Sequence, residues 1–186
     1  GGNMFEEFLK AFALVFIAEA GDKTQLMLMT LASQYTAAQM LLGIFLGVVV
    51  NHGAAVAIGC YLSSIIEGKL IQIFAGFIFV AFGIITIVFD SEDEKGRNFK
   101  FGPVVTTALT FLIGEIGDKT QLTAMTLAME TQHPVLVLAG SVTSMLATGA
   151  VGIIIGTALT KYIPSNIMKI ISGMVFIIFG LMRFIE

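Results

Sequence analysis

The chain has 186 residues, 56% hydrophobic and 12% charged, with 13 acidic residues against 10 lysines and arginines. An ordinary soluble domain carries about 25% charged residues, so this composition and a mean hydropathy of +0.94 place the chain in the membrane class. The formal charge of -3 excludes a strongly basic nucleic-acid binder, and the short polar stretches leave no room for a separate soluble catalytic domain.

A helix crosses about 30 Å of hydrocarbon in about 20 residues. On that measure six apolar runs read as spans, over residues 8–32, 38–62, 70–89, 104–129, 135–160 and 167–185. Pro103 and Pro134 precede the fourth and fifth, where a missing N–H does no harm. Pro164 falls in the link before the sixth. The first run has no small-residue cleavage site before its charged motif, so no signal peptide is expected. Cys60, the one cysteine, lies in an apolar run and reads as a small hydrophobe.

Residues 90–100 are the long polar segment and divide the chain into halves, 4–89 and 101–186. The halves are related. Glu19-Ala20-Gly21-Asp22-Lys23-Thr24-Gln25 returns as Glu115-Ile116-Gly117-Asp118-Lys119-Thr120-Gln121, 96 positions later. Met29-Thr30-Leu31-Ala32 recurs at the same offset, and Gly43, Gly59, Gly76 and Gly83 recur as Gly140, Gly156, Gly173 and Gly180 at an offset of 97. Three spans per half is an odd number, so the second half must enter the membrane from the opposite side. The expected fold is an all-α membrane protein of six transmembrane helices built as two inverted three-helix repeats. Lys95, Arg97, Lys100, Lys161 and Lys169 fall on the linker side against Lys10, Lys69 and Arg183 on the other, which points to a cytoplasmic linker.

The repeated motif places charges inside apolar runs. Glu19, Asp22 and Lys23 each cost about 2.5–3.5 kcal/mol at a helix centre, against about 0.3–0.6 kcal/mol returned by each large apolar residue. Charges so placed are functional-site candidates facing protein, water or an ion. Glu19 and Asp22 share a face of a regular helix, as do Glu115 and Asp118, and opposed motif helices bring the four carboxylates around one point. Their mutual repulsion is relieved by protons or a counter-ion. With Lys23 and Lys119 balancing part of the charge, the deficit matches one divalent cation or two protons, which is the basis for antiport. Oxygen donors from Glu19, Asp22, Glu115 and Asp118, with Gln25, Gln121, Thr24 and Thr120 as further candidates, suit hard ions such as Ca2+, Mg2+ and Mn2+. Gly21 and Gly117 permit either close helix crossing or a local break. The competing structural reading pairs Glu19 with Lys23 and Glu115 with Lys119 at i,i+4; its weakness is that two costly clusters recur at matching depth.

Asn51 and His52, near the middle of the second span, are candidates for proton relay or polar support, since an imidazole titrates near neutrality. The aligned Thr148 and Gly149 argue against a symmetric essential role. Met29 and Met125 read as packing rather than as soft ligands. Gly43 and Gly47, like Gly152 and Gly156, have the G-x-x-x-G spacing of close helix packing. Glu67, Glu130 and the linker acids read as solvated ends. No coherent nucleophile set is present, so an enzyme is not expected, and neither is a permanently bound cofactor.

Two copies of E-x-G-D-(K/R)-(T/S) across almost the whole chain resemble the family of small membrane Mn2+/Ca2+ transporters that exchange cation for H+. Glu19-Ala20-Gly21-Asp22-Lys23-Thr24 and Glu115-Ile116-Gly117-Asp118-Lys119-Thr120 both fit, although Ala20 is smaller than the usual residue there. The resemblance implies cation binding by Glu19, Asp22, Glu115 and Asp118, with divalent metal ions, protons and membrane lipids as partners and no nucleic acid. The compact form resembles a bacterial manganese exporter of the cytoplasmic (inner) membrane. Competing classes are a divalent cation channel and a non-transporting structural or sensor membrane protein. The sequence leaves the oligomeric state open.

Overall fold

A computed structural model of the chain describes residues 3–20, 24, 28, 31–32, 34–66, 68–89, 101–162, 165–182 and 184. Among them seven helices are described end to end: α1 (Met4–Glu19), α2 (Ala37–Ile65), α3 (Gly68–Phe89), α4 (Pro103–Gly114), α5 (Lys119–Glu130), α6 (Pro134–Tyr162) and α7 (Ser165–Met182). Thr24, Leu28, Leu31 and Ala32 are also helical. The linker 90–100 and Pro164 lie outside the described residues.

Local chemistry explains the helix starts. The Asn3 side chain accepts from Phe5 N–H at the head of α1. Thr36 and Gln39 form a reciprocal capping box on α2. Pro103 opens α4 and Pro134 opens α6, as their missing N–H groups allow. α2 and the segment Pro134–Ile154 of α6 are long and apolar enough to cross a membrane.

The expected first and fourth spans are not continuous helices. α1 stops at Glu19, with Ala20 in an extended conformation. In place of one helix over 104–129, α4 ends at Gly114, residues 115–117 turn, and α5 starts after Asp118. Gly117 explains the break: its φ of +75° lies in the left-handed region that an L side chain enters at a cost of about 1–2 kcal/mol. Of the two roles left open for this glycine, the local break is the observed one, and a Cβ there would meet nothing within 4 Å.

The bundle buries a set of hydroxyl side chains among its apolar core and exposes apolar side chains on its outer face. Thr106, Thr107, Thr110, Thr120, Thr123, Thr126, Ser141, Ser144 and Thr148 are buried, whereas Leu42, Phe45, Leu46, Val50, Ile58 and Tyr61 of α2 are exposed. Extended apolar surface of this kind is rare on soluble monomers and natural against lipid tails. Most of the buried hydroxyls bond their own helix, as Thr107 to Pro103 O, Thr110 to Thr106 O, and Thr123 to Lys119 O.

Glycines set the helix contacts. α4 and then α5 lie along α2. A Cβ at Gly43 would reach Val104 O at 2.8 Å, one at Gly47 would reach Ala108 O at 2.5 Å, and one at Gly59 would strike Met125 O. α1 packs on α6 in the matching way, with Gly140 against Phe8 O and Ala11. The Gly43 and Gly140 contacts are therefore counterparts at the sequence offset of the repeat. α3 packs on α7 through Gly76 with Gly180 and Gly83 with Gly173, an order that makes the two helices antiparallel. Phe79 stacks on Phe176 in the core, their centroids 5.9 Å apart.

Two substitution pairs test these assignments by thermal unfolding in detergent. Gly47→Ala places a Cβ against backbone and should destabilise by about 1–3 kcal/mol, whereas Gly53→Ala, with open space around it, should be neutral or stabilising by about 0.5–1 kcal/mol; equal shifts would contradict the packing role. Gly117→Ala should lower stability by about 1–2 kcal/mol and Gly117→Asn by less, and an alanine variant as stable as the parent would contradict the left-handed break.

Candidate cation site

Both described motif acids of glutamate type sit where a helix stops. Glu19 is the last residue of α1 and Glu115 the residue that closes α4. The C-terminal end of a helix carries about half a negative charge from its unsatisfied carbonyls. Two such ends therefore point their negative poles at the same region as the glutamates, an arrangement that repels anions and draws cations. Asp118 is the N-cap of α5, yet its carboxylate makes no capping hydrogen bond to that helix.

α1 packs along α6 and also meets α5, which carries Glu19 to the second motif. Carboxylate oxygens of Glu19, Glu115 and Asp118 lie within 4.8 Å of one another. Glu19 is 2% exposed and Glu115 1%, so both carboxylates are closed off from bulk solvent. This spacing lets three oxygens converge on one hard divalent ion, whose ligands are carboxylates, carbonyls and water. The site joins residues 96 positions apart and uses both copies of the motif.

Each glutamate is held by the threonine five residues on. Thr24 Oγ1 donates to Glu19 Oε1, and Thr120 Oγ1 donates to Glu115 Oε2 at 2.9 Å. Both threonines are fully buried, so they orient the acids from behind. Gln121 Oε1 accepts from Gly117 N–H at 2.6 Å and steadies the turn. Lys119, the first residue of α5, is buried. Asp22, Lys23, Gln25 and Met29 lie outside the described residues.

Asn51 and His52 are buried on α2. Asn51 Nδ2 donates to Leu112 O at 3.2 Å, near the broken end of α4. Among the described residues neither ring nitrogen of His52 has a hydrogen-bond partner. Cys60 packs against the core cluster that includes Val56 and Leu127, as its apolar setting implied.

One reading needs correction. Glu130 is not a solvated helix end: its carboxylate oxygens are buried, and it lines a cavity of about 50 Å3 with Glu7, Lys10, Leu127, Thr131 and Val137. Thr131 Oγ1 donates to Glu7 Oε2 there, while Lys10 Nζ sits 5.0 Å from the Phe179 ring centroid. Sequence reasoning missed this grouping because its members come from the start of α1 and the end of α5, with no repeat to flag them.

Comparison with known proteins agrees with the twofold motif. The sequence model of the family described as "Divalent cation/proton antiporter GDT1" matches residues 7–94 and again 103–186. GDT1-like protein 5 of Arabidopsis thaliana is 26% identical over 97% of this chain and 96% of its own length. A "Putative manganese exporter" of Vibrio cholerae is 26% identical over 90% of this chain and 84% of its own. A GDT1-like protein of Schizosaccharomyces pombe is 34% identical over 43% of this chain and 30% of its own. No solved structure matches. With the family model covering nearly the whole chain in two copies, this integral membrane protein belongs to the GDT1 family of divalent cation/proton antiporters.

Proposed function

We propose that the protein is a secondary transporter that exports Mn2+, and Ca2+ less readily, in exchange for H+. The observation that carries this reading is the approach of Glu19 to Glu115 and Asp118 within 4.8 Å. Three carboxylates and two helix C-termini gather negative charge in a low-dielectric interior; the buried Lys119 offsets part of it, and a cation or protons relieve the rest. Cation and protons then compete for the same oxygens, and competition for one site is what couples their opposed fluxes.

In the proposed cycle the cation enters from the cytosol and displaces protons from Glu19, Glu115 and Asp118, with Asp22 completing the set. The halves rearrange, the acids are reprotonated from the far side, and the cation leaves. Lys119 and Lys23 balance charge and do not ligate while protonated. Thr24 and Thr120 orient the glutamates, and no covalent step is required. The carboxylate donor set suits Mn2+ and Ca2+ alike; the preference for Mn2+ follows the name of the Vibrio cholerae relative.

This cycle uses six spans as two inverted repeats, 4–89 and 101–186, with the acids near the midplane. The antiparallel α3 and α7, and the Gly43 and Gly140 contacts repeated at the sequence offset, support that arrangement. The first span is then α1 with the helical positions Thr24, Leu28, Leu31 and Ala32, and the fourth is α4 with α5. A broken helix at the site is a common device of secondary transporters. We place the protein in a bacterial cytoplasmic membrane with the linker on the cytoplasmic side, following the lysine and arginine bias. Burial of Glu19 and Glu115 favours alternating access over a continuously open channel.

Proteoliposomes loaded at one pH and diluted into another test this directly. Mn2+ flux should follow the imposed proton gradient, Ca2+ flux should be weaker and Mg2+ flux weakest. Glu115→Gln should reduce Mn2+ flux by more than the about 10–100-fold typical of losing a mere supporting partner. Flux indifferent to the pH gradient, or unitary currents, would overturn the antiport reading in favour of a channel.

A further inference from the structure

The two motifs are alike in sequence, but among the described residues the helix ends that carry their glutamates are not held alike. In a continuing helix the Leu112 carbonyl would accept from the N–H of residue 116. α4 stops at Gly114 instead, and the amide of Asn51, reaching across from α2, takes that place at 3.2 Å. A carbonyl can only accept, so the Asn51 nitrogen is the atom that faces it. Asn51 is 2% exposed, which shields this bond from competing water. Leu112 is three residues before Glu115 and within the last turn of α4, so its position fixes where that turn ends and where the glutamate leaves it.

Among the described residues the end of α1 shows no such brace. Phe16, the counterpart of Leu112, gives its carbonyl to Ala20 N–H at 2.9 Å. Thr148, aligned with Asn51, turns its hydroxyl back onto Ser144 O and Met145 O of its own helix, both at 3.1 Å. The contact between α2 and α4 beside Gly43 and Gly47 is backbone-close, so α2 is a firm support from which Asn51 can act.

We infer that Asn51 is a positioning residue for Glu115: it anchors the broken end of α4 through the Leu112 carbonyl and so fixes where that glutamate enters the cation site. This rests on the site proposed above. It acts through the backbone and does not ligate the cation, a distinction with consequences for substitution. Asn51→Leu keeps the branched shape and the number of heavy atoms and removes the donor. Asn51→Asp also removes the donor but would supply a better cation ligand.

The test is Mn2+ binding to the detergent-purified full chain, read from loss of the free-ion paramagnetic resonance signal, with size-exclusion profiles confirming the fold of each variant. Asn51→Leu and Asn51→Asp should each weaken binding about tenfold, as loss of a supporting partner does, while Thr148→Val leaves it unchanged. In double-mutant cycles, Asn51→Leu should add little to Glu115→Gln but its full effect to Glu19→Gln. Retained or tighter binding in Asn51→Asp would make the residue a ligand and overturn the inference. Equal added losses in both glutamate backgrounds would make it a general packing residue and overturn it too, as would an Asn51→Leu variant that binds normally. Loss of the site itself reads differently: a parent chain that binds no Mn2+, or a Glu115→Gln variant that binds like the parent, contradicts the proposed function before Asn51 is considered.

Discussion

Everything in this molecule answers to one electrostatic constraint: three carboxylates from two distant segments converge within 4.8 Å in a place that water barely reaches. Like charges so close in a low dielectric repel strongly. The protein adds to the negative potential, because α1 and α4 both end there. The N-terminus of α5 and the buried Lys119 offset part of this charge, one basic group against three acids among the described residues. In the proposed function a divalent cation or protons supply the remaining positive charge, and that need links fold to function.

The fold supplies the means. Breaking the second motif helix at Gly117 separates Glu115 from Asp118 and aims one from a helix end and the other from a helix start. Close glycine contacts hold α4 and α5 along α2 and hold α3 against α7 with little side-chain material between them. In the proposed cycle these thin, backbone-close seams are where the halves can slide without opening voids, while buried threonines satisfy their own helices and leave the acids as the reactive polar groups.

Much of this was legible in the residues. Repetition of Glu-x-Gly-Asp-Lys-Thr at matching offset, with charges that hydrocarbon cannot tolerate, pointed to Glu19, Glu115 and Asp118 before any geometry. The apolar periods of α2, α3, α6 and α7 gave their extents to within a few residues. What hydropathy could not show was the interruption of the fourth apolar run, since the apolar stretches before Glu115 and after Lys119 are together long enough to read as one span across the charged motif. Nor could it show Asn51 bonding Leu112, a contact over 61 positions, or Glu130 beside Glu7. Such pairings depend on the direction in which helices pack, which the pattern of one helix does not encode. Thr24 and Thr120 illustrate the middle case: the motif marked them as candidate oxygen ligands, and the fold adds that each donates a hydrogen bond to the glutamate five residues before it.

Anomalous diffraction at the manganese edge from crystals of the full chain grown with Mn2+ tests the central claim most directly. The account predicts one peak ligated jointly by Glu19 of the first motif and Glu115 and Asp118 of the second. A peak held by residues of a single repeat, or one seated in the cavity beside Glu7 and Glu130 with the motif acids empty, would contradict it.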